Sequence, residues 1–595
     1  MNTNGNDHLA WAETFMAALA SAGVRDVVVC PGSRSTPLAL AADVTEGLQI
    51  HTAVDERAAA FFALGQARVT RLPSVVLCTS GTAGAHFMPA VIEASQSHVP
   101  LLLVTADRPW EAVDVAAPQT IDQTKLFGAH VRFFVELGLP DPGAPREAPA
   151  RVAIHAATRA LGPDPGPVHV NARFRKPLEP SQPWPDPDRA TRLADVLRRG
   201  TTRVFTPRIT APPEALDDLA ARISHTERGL IVCGPAPVDR PESPLREAAV
   251  ALARATGFPL LAETTSQARF GAAAPDVVSC ASFDALLRDC AFAERHAPDL
   301  LIELGAPPTS QGYADYIGKH PTAARYVIAP HGWNDPSQDA TALVLADPAE
   351  TARALAARLG PPRRSSPSAW AESFRRADAL VWSLAEAHAP AVHLTEAAVA
   401  RIVVAASPAG ALFSVGNSLP VRDVDLWAPP RTNPLGVLHQ RGASGIDGLV
   451  ASAAGAASVA GRPVVLLLGD TSVLHDLTSL SLARRAPVPL VVVVVQNQGG
   501  RIFERLPIAR AVDVDRFDKY FTMHEPVDLA PAAAAFGVRF ARVASEHALG
   551  RAFADALRTA GATLIEAVVP PDDGRARVTR FRTELSAALA REDLS

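Results

Sequence analysis

Cysteine is scarce in this sequence. There are five in 595 residues, Cys30, Cys78, Cys233, Cys280 and Cys290, and none forms a CxxC pair. So odd and scattered a set argues against a disulfide framework and against a structural zinc site. Lysine is scarcer still, since only Lys125, Lys176, Lys319 and Lys519 occur among 57 basic residues. Charge of one sign is missing too: 57 basic and 62 acidic side chains leave a formal net charge of -5. That balance, without a basic block or interleaved aromatics, gives no footing for nucleic acid or an anionic membrane. The longest aliphatic runs, such as 490–495, are strand-sized and far short of a membrane span. The N-terminal MNTNGNDHLAWAETF has no basic stretch leading into an apolar one, so no signal peptide is expected and the protein reads as soluble and cytoplasmic. Short-period repeats, heptads and low-complexity segments are absent from the sequence.

What is there is a globular composition, 48% hydrophobic and 20% charged, in a chain too long for one hydrophobic core. Apolar runs at 27–30, 75–78 and 101–104 end directly in polar loops, PGSRST, TSGTAG and TADRP, with helical patterns at 10–22, 55–68 and 89–97. Such runs imply strands of a parallel sheet buried on both faces, with ligands bound beyond their carboxyl ends. The proline-rich 176–188 reads as a linker. A middle region follows with strands at 230–233, 300–304 and 326–329, and a second boundary at 361–368. The last third repeats the strand-and-loop logic: 412–415 into GNSLPVRD, 464–468 into GDTS, 490–495 into QNQGG, then a late strand at 563–569. The expectation is an α/β protein of three consecutive α/β domains with mostly parallel sheets, bounded as 1–185, 186–365 and 366–595.

The sharpest local signal is Gly469-Asp470-Thr471 after one buried strand and Asn497, 27 residues on, after the next. Asp470 offers a carboxylate oxygen, Asn497 an amide oxygen and Gly499 a backbone carbonyl. Together they make half of an octahedral magnesium shell, which diphosphate oxygens and a water complete. Gly469 permits close backbone approach, and a helix expected after Leu474 aims its N-terminus at the phosphates. A helix-capping Asp and a turn Asn would explain the same residues.

GDTS…QNQGG resembles the cofactor motif of thiamine-diphosphate-dependent enzymes, a GDG followed at similar distance by Asn. Further segments resemble the menaquinone-pathway branch of that family, which makes 2-succinyl-5-enolpyruvyl-6-hydroxy-3-cyclohexene-1-carboxylate. They are VCPGSRSTPLAL (29–40), DERAAAFFALG (55–65), CTSGTAGAHFMPAVIEA (78–94), LVTADRP (103–109), QTIDQ (119–123), GNSLPVRD (416–423), RGASGIDG (441–448) and GDTSVLHDL (469–477). The likeness covers most of the first and last thirds and is thinner in the middle.

The resemblance implies thiamine diphosphate with Mg2+, Mn2+ being an alternative metal, and a transferase reaction. 2-Oxoglutarate is decarboxylated and its four-carbon remainder is added to isochorismate. It implies a pyrimidine-binding first domain and a diphosphate-binding last domain. Glu56 takes the place of the acid that contacts the aminopyrimidine, and reaches a cofactor held by a partner subunit, hence a homodimer or tetramer. Ile446 matches the apolar prop under the cofactor, with Ser444 beside it; Gly469, Asp470, Thr471, Ser472 and Asn497 complete the cofactor set, with Asp470, Asn497 and Gly499 on the metal. Substrates rich in carboxylates call for arginine forks, for which Arg34, Arg108, Arg422 and Arg441 are the candidates. Ser33, Gln119, Asn417 and Ser418 add neutral hydrogen bonds and Phe503 an apolar wall. Residue by residue, other readings stay open: Asp55 and Glu56 as helix-terminal acids, Ile446 and Phe503 as core, Ser444 as a turn, each arginine as a surface residue.

Several positions depart from the family pattern. Gln311 stands in Pro308-Thr309-Ser310-Gln311 where lysine is usual; the turn usually written NNGGG runs Gln496-Asn497-Gln498-Gly499-Gly500-Arg501, with Asn497 and Gly499 surviving; His86 stands where asparagine is common. The competing enzyme reading is a thiamine-diphosphate lyase or decarboxylase acting on a simpler 2-oxo acid, and a further one is a catalytically silent paralogue. GASG is not the GxSxG elbow of a serine hydrolase, and TSGTAG and VCGPAP are too loose for a dinucleotide site.

Overall fold

Strands form where the β-branched and leucine runs lie, because such side chains pack well on a pleated surface buried from both sides. In a computed structural model, which describes residues 5–592 apart from 142, 239–244, 273, 362–365 and 389–390, these runs make three six-stranded sheets. The first contains β1 (Asp26–Val29), β2 (Gln49–Thr52), β3 (Ser74–Cys78), β4 (Leu101–Asp107), β5 (Phe133–Glu136) and β6 (Pro167–Arg173). The second contains β7 (Gly229–Cys233), β8 (Leu260–Ala262), β9 (Ser279–Cys280), β10 (Leu300–Leu304), β11 (Ala324–Ala329) and β12 (Ala342–Leu345). The third contains β13 (Leu412–Val415), β14 (Gly436–His439), β15 (Val464–Gly469), β16 (Pro489–Gln496), β17 (Arg539–Val543) and β18 (Gly561–Val568).

The first sheet runs β2-β1-β3-β4-β6-β5, and the third runs β14-β13-β15-β16-β18-β17, the same winding. The pairings are parallel, for example Val27 against Val75 and Leu466 against Val492. Parallel register brings the loops after β1, β3 and β4 to one edge of the first sheet. It brings those after β13, β15 and β16 to one edge of the third. PGSRST, TSGTAG, TADRP, GNSLPVRD, GDTS and QNQGG sit at these carboxyl ends, while DERAAAF follows β2 and RGASGIDG follows β14.

The chain groups into two compact units. One comprises Met1–Pro207 with Gln440–Gly461 and His475–Val488; the other comprises Arg208–His439, Arg462–Leu474 and Pro489–Ser595. In the first unit the helix Glu56–Thr70 packs on the helix Leu449–Ala460. Their backbones touch: a Cβ on Gly65 would lie 1.9 Å from the Ser452 carbonyl oxygen, and one on Gly455 would lie 1.9 Å from that of Phe62. The alanine- and glycine-rich sequence LVASAAGAASVA permits this approach. In the second unit, Arg269 is fully buried and donates to the carbonyls of Ala281 (2.8 Å) and Ala428 (2.6 Å), tying the second sheet's loops to the helix Leu419–Trp427.

The segment 176–188 is irregular, as its prolines require, yet it is fastened to the first helix. Trp184 Nε1 donates to Glu13 at 2.9 Å and Asn6 Oδ1 accepts from the Ser181 amide at 2.8 Å. Of the second boundary, 362–365 lie outside the described residues, while Ser368 caps the helix Ala369–Ala387. No helix among the described residues is long and apolar enough to cross a membrane.

Candidate active site

In the first unit, Asp55 and Glu56 open the helix that follows β2, and their roles differ. Asp55 is the N-cap and accepts from the Ala58 amide at 3.2 Å; its other oxygen accepts from Thr478 Oγ1 at 2.8 Å. Glu56, half-buried, has no hydrogen-bond partner among the described residues and lies close to the thiols at the ends of β1 and β3. Burial pushes the Cys30 and Cys78 thiols up, and the charge of Glu56 adds to it. The helix-capping role therefore belongs to Asp55 and not to Glu56.

The loops after β1 and β4 bring two guanidiniums together. Arg34 is buried; its Nη1 donates to the Phe174 carbonyl at 2.7 Å, while its Nε has no partner. Burial lowers the proton affinity of Arg34, and the neighbouring Arg108 lowers it further, against Asp107. Two partly desolvated cations side by side suit a carboxylate-bearing ligand. Arg108 Nη1 donates to Ser80 Oγ, and Gln119, at φ +56°, donates to the Ser80 carbonyl at 3.1 Å. Ser33 is exposed beside them. Beneath lies fully buried Gln123, which accepts from the Gly81 amide at 2.9 Å and donates to Asn171 at 2.9 Å.

The loop 441–448 belongs to this unit as well. It exposes Ser444, in a left-handed conformation at φ +61°, and half-buries Ile446 and Arg441. Ile446 therefore does not belong to the hydrophobic core. The loop's end is held by Asp476, whose Oδ2 accepts from the amides of Val450 (2.8 Å) and Ala451 (2.9 Å), while its Oδ1 accepts from Ser479 (2.6 Å). Burial pushes the Asp476 carboxyl up to about 6, against those hydrogen bonds and the charge of Arg57. An unfolded aspartate titrates near 3.9, so the stability linked to this proton is complete at low pH and is lost as pH rises through 6, roughly 3 kcal/mol. Asp476→Asn keeps an oxygen for both amides and offers its NH2 to Ser479. We expect the melting temperature of the wild type to fall relative to this variant as pH is raised from about 4 to about 7. Parallel melting curves for the two proteins over that range would refute the assignment.

In the second unit, Asp470 follows β15 directly. Its Oδ2 accepts from the Gly499 amide (2.8 Å) and its Oδ1 from the Thr471 amide (2.6 Å), so the two strand-end loops share one carboxylate. Burial raises its pKa, and no arginine or lysine among the described residues pairs with it. The charge of His524 acts against that shift, yet a desolvated carboxylate with no arginine or lysine beside it suits a bound cation. Asn497 is buried, and its amide nitrogen donates to Glu396 at 2.5 Å, which fixes which end of the amide is the oxygen. Gly499 sits at φ +106°, and a Cβ there would lie 2.2 Å from the Thr522 carbonyl oxygen. A Cβ on Gly469 would meet nothing within 4 Å, so the strand end opens onto free space. The donors fit a hard divalent ion with a diphosphate, Thr471 and Ser472 lying beside it on the same turn. The helix expected after Leu474 instead spans Asp470–His475. The strand passes into it without a loop because Asp470 bonds the Thr471 amide itself.

Asn417 is buried after β13, and Ser418 adopts φ +69° at the start of the helix Leu419–Trp427. Arg422, one turn on, donates to the Ser418 carbonyl at 2.7 Å. Next to it Asp423 is buried, and desolvation and the charge of Glu396 push its carboxyl up to about 8, against Arg505. Phe503 is 36% exposed and tilts against Phe521 with centroids 5.7 Å apart, so it is not core.

Ser33, Arg34, Glu56, Arg108, Gln119, Arg441, Ser444 and Ile446 thus fall in the first unit. Asn417, Ser418, Arg422, Gly469, Asp470, Thr471, Ser472, Asn497, Gly499 and Phe503 fall in the second. Of the departures, Gln311 donates to Asp315 on its own helix at 2.8 Å, His86 is exposed, and Arg501 turns back to bond the Asn497 carbonyl (3.0 Å) and Glu504 (2.8 Å). Sequence reasoning missed Glu93, Arg68, Gln123, Asp476 and Glu396. The signal for Glu93 was an acid among the apolar residues of FMPAVIEA.

Comparison with known proteins bears on these loops. The family description "Thiamine pyrophosphate enzyme, N-terminal TPP binding domain" matches residues 10–126, and its C-terminal TPP binding domain counterpart matches 427–567. A 2-succinyl-5-enolpyruvyl-6-hydroxy-3-cyclohexene-1-carboxylate synthase of Sorangium cellulosum is 56% identical over 594 residues, covering 98% of this chain and 96% of that one. A synthase of the same name from Myxococcus xanthus is 42% identical over 602 residues, covering 99% of each. Among solved structures, the thiamine diphosphate-dependent 4-hydroxybenzoylformate decarboxylase of Rhodococcus jostii superposes with a TM-score of 0.70 at 19% identity, covering 95% of this chain and 99% of that one. Benzoylformate decarboxylase from Polynucleobacter necessarius gives 0.69 at 17%, covering 94% and 99%. At those identities the structures speak to the fold alone.

Proposed function

The chain belongs to the 2-succinyl-5-enolpyruvyl-6-hydroxy-3-cyclohexene-1-carboxylate synthase family of thiamine-diphosphate-dependent enzymes, and from that premise we propose how its residues divide the work. The reaction joins 2-oxoglutarate, less one carbon dioxide, to isochorismate; the cofactors are thiamine diphosphate and Mg2+. The observation that carries the reading is Asp470: a desolvated carboxylate with no arginine or lysine partner among the described residues, bonded to the turn that presents Asn497 and Gly499.

Asp470, Asn497 and Gly499 would hold the metal, and Gly469, Thr471 and Ser472 the diphosphate. Ser444 and Ile446 would support the ring system. When bound, thiamine diphosphate supplies the nucleophilic carbon and the electron sink for decarboxylation. Glu56 holds a proton at the aminopyrimidine ring nitrogen. Arg34 and Arg108 bind and orient substrate carboxylates, as do Arg422 and Arg441, and fixed cations of this kind stabilise negative charge that grows during addition. Ser33, Gln119, Asn417 and Ser418 orient the remaining polar groups, and Phe503 excludes water from one side. Segments 1–185, 186–365 and 366–595 act as pyrimidine-binding, central and diphosphate-binding domains. The working assembly is at least a homodimer, Glu56 of one copy serving the cofactor of the other. Arginines in the motif loops favour two polycarboxylate substrates over a single simpler 2-oxo acid.

The purified protein, given both substrates, thiamine diphosphate and Mg2+, should release carbon dioxide in step with a product carrying the added four-carbon unit. Consumption of 2-oxoglutarate independent of isochorismate, with no such product mass, would reject the substrate pair and leave the cofactor class standing.

A further inference from the structure

The loop 441–448 carries three residues assigned above, Arg441, Ser444 and Ile446, and its conformation is not one the chain adopts unaided. Ser444 lies at φ +61° and Gly448 at φ +64°, and a Cβ on Gly448 would lie 2.0 Å from the ring of Phe61. Non-glycine residues resist that region of backbone space, so the surroundings must impose the shape. We propose that Glu93 is the positioning residue that does so, with Arg68 as its counter-charge; the inference rests on the functional reading above.

Glu93 lies on the helix Met88–Gln96 and is 3% exposed. Its Oε2 accepts from the Ala443 amide at 2.7 Å and its Oε1 from the Gly442 amide at 3.1 Å. Two consecutive backbone amides aimed at one carboxylate form a nest, which holds an anion where neither amide would alone. Arg68, on the helix that begins with Glu56, completes it: Nη2 donates to Glu93 Oε1 at 2.5 Å and to Ser97 Oγ at 3.1 Å. Both ions are buried, and desolvation lowers the proton affinity of Arg68 while the charge and hydrogen bond of Glu93 offset only part of that. Such a pair contributes little net stability compared with apolar packing, so its retention is better explained by the geometry it enforces. The fit is close, because a Cβ on Gly442 would lie 2.8 Å from the Glu93 carbonyl oxygen and 2.9 Å from the Ser97 amide. Gln440 closes the loop's mouth by donating to the Asp447 carbonyl at 2.9 Å, and Asp476 anchors its far end. Between these anchors Ser444 and Ile446 are presented on a frame fixed at both ends. The clamp lies wholly within the first unit, and Glu93 acts through the loop rather than on the reacting atoms.

Glu93→Gln keeps the volume but turns an NH2 toward at least one donor, Gly442, Ala443 or Arg68. Titrating thiamine diphosphate with Mg2+ into cofactor-free protein, followed by calorimetry, should show a dissociation constant raised about 10–100-fold. A fall in kcat of about tenfold or more should accompany it at saturating cofactor, because a shift of the prop misplaces the reacting groups. Arg68→Lys, which keeps the counter-charge on Glu93, should retain most of the affinity. Gly442→Ala, which pushes the loop off the Glu93 and Ser97 main chain while leaving both charged side chains in place, should repeat the Glu93→Gln pattern and decides the matter if Glu93→Gln does not fold. Cofactor affinity and kcat within twofold of wild type, in whichever variant folds, would overturn the proposal even if the melting temperature dropped. A wild-type protein that neither binds the cofactor nor makes the product would instead overturn the functional reading.

Discussion

Glu56→Gln should lower kcat by about 10³-fold at saturating cofactor and substrates, within the range seen when a positioned acid–base group is removed. The two adjacent acids are not equivalent. Asp55 caps the helix through the Ala58 amide and takes the Thr478 hydroxyl, whereas Glu56 has no such duty among the described residues. Amidation of Glu56 should therefore leave the helix Glu56–Thr70 intact, and calorimetry should find cofactor affinity changed far less than turnover. Proton exchange at the thiazolium carbon, followed by NMR, should slow in parallel with kcat. Asp55→Asn gives the contrast: it retains a capping oxygen and should keep most of the activity. A loss below tenfold for Glu56→Gln, or an equal loss for Asp55→Asn, would remove Glu56 from the mechanism.

Asp470→Asn should weaken Mg2+-dependent binding of thiamine diphosphate by about 100-fold or more, since it removes the single charge from a three-oxygen set. It also presents an NH2 to either the Gly499 or the Thr471 amide. Two melting experiments separate lost binding from lost folding. Without cofactor, Asp470→Asn relieves a desolvated carboxylate and should melt no lower than about 2 °C below wild type. With saturating Mg2+ and thiamine diphosphate, the wild type should rise and the variant should not, because a ligand stabilises the state it binds in proportion to its affinity. Equal stabilisation of the two proteins by the cofactor would rule out Asp470 as a ligand.

Much of the fold can be read along the chain because a strand buried on both faces leaves a continuous apolar run. The runs at 300–304 and 412–415 coincide with β10 and β13. The short β2, QIHT, with polar and partly exposed side chains, carries no such signature and is seen only by its pairing with β1. The motif loops were legible as chemistry, but their support was not. Glu93 meets Ala443 across 350 positions, and no local period can report that. The grouping of 440–461 with the first unit is equally invisible to composition, since LVASAAGAASVA looks like any buried helix. The start of the helix at Asp470 was missed for a smaller reason. Strand and helix abut there, and the sequence shows no turn residue between them beyond Gly469.

Glycine in the middle of a helix is the usual first target for thermostabilisation, because alanine removes freedom from the unfolded chain. In this protein that route forks. Gly318 and Gly550 lie in helices with nothing within 4 Å of an added methyl, and both accept the exchange. Gly65 and Gly455 do not, for there the methyl would be driven into the opposing main chain. An engineer ranking helical glycines by propensity alone would pry apart the two helices on which Glu56 and the 441–448 loop are mounted, and would trade activity for a gain that never arrives.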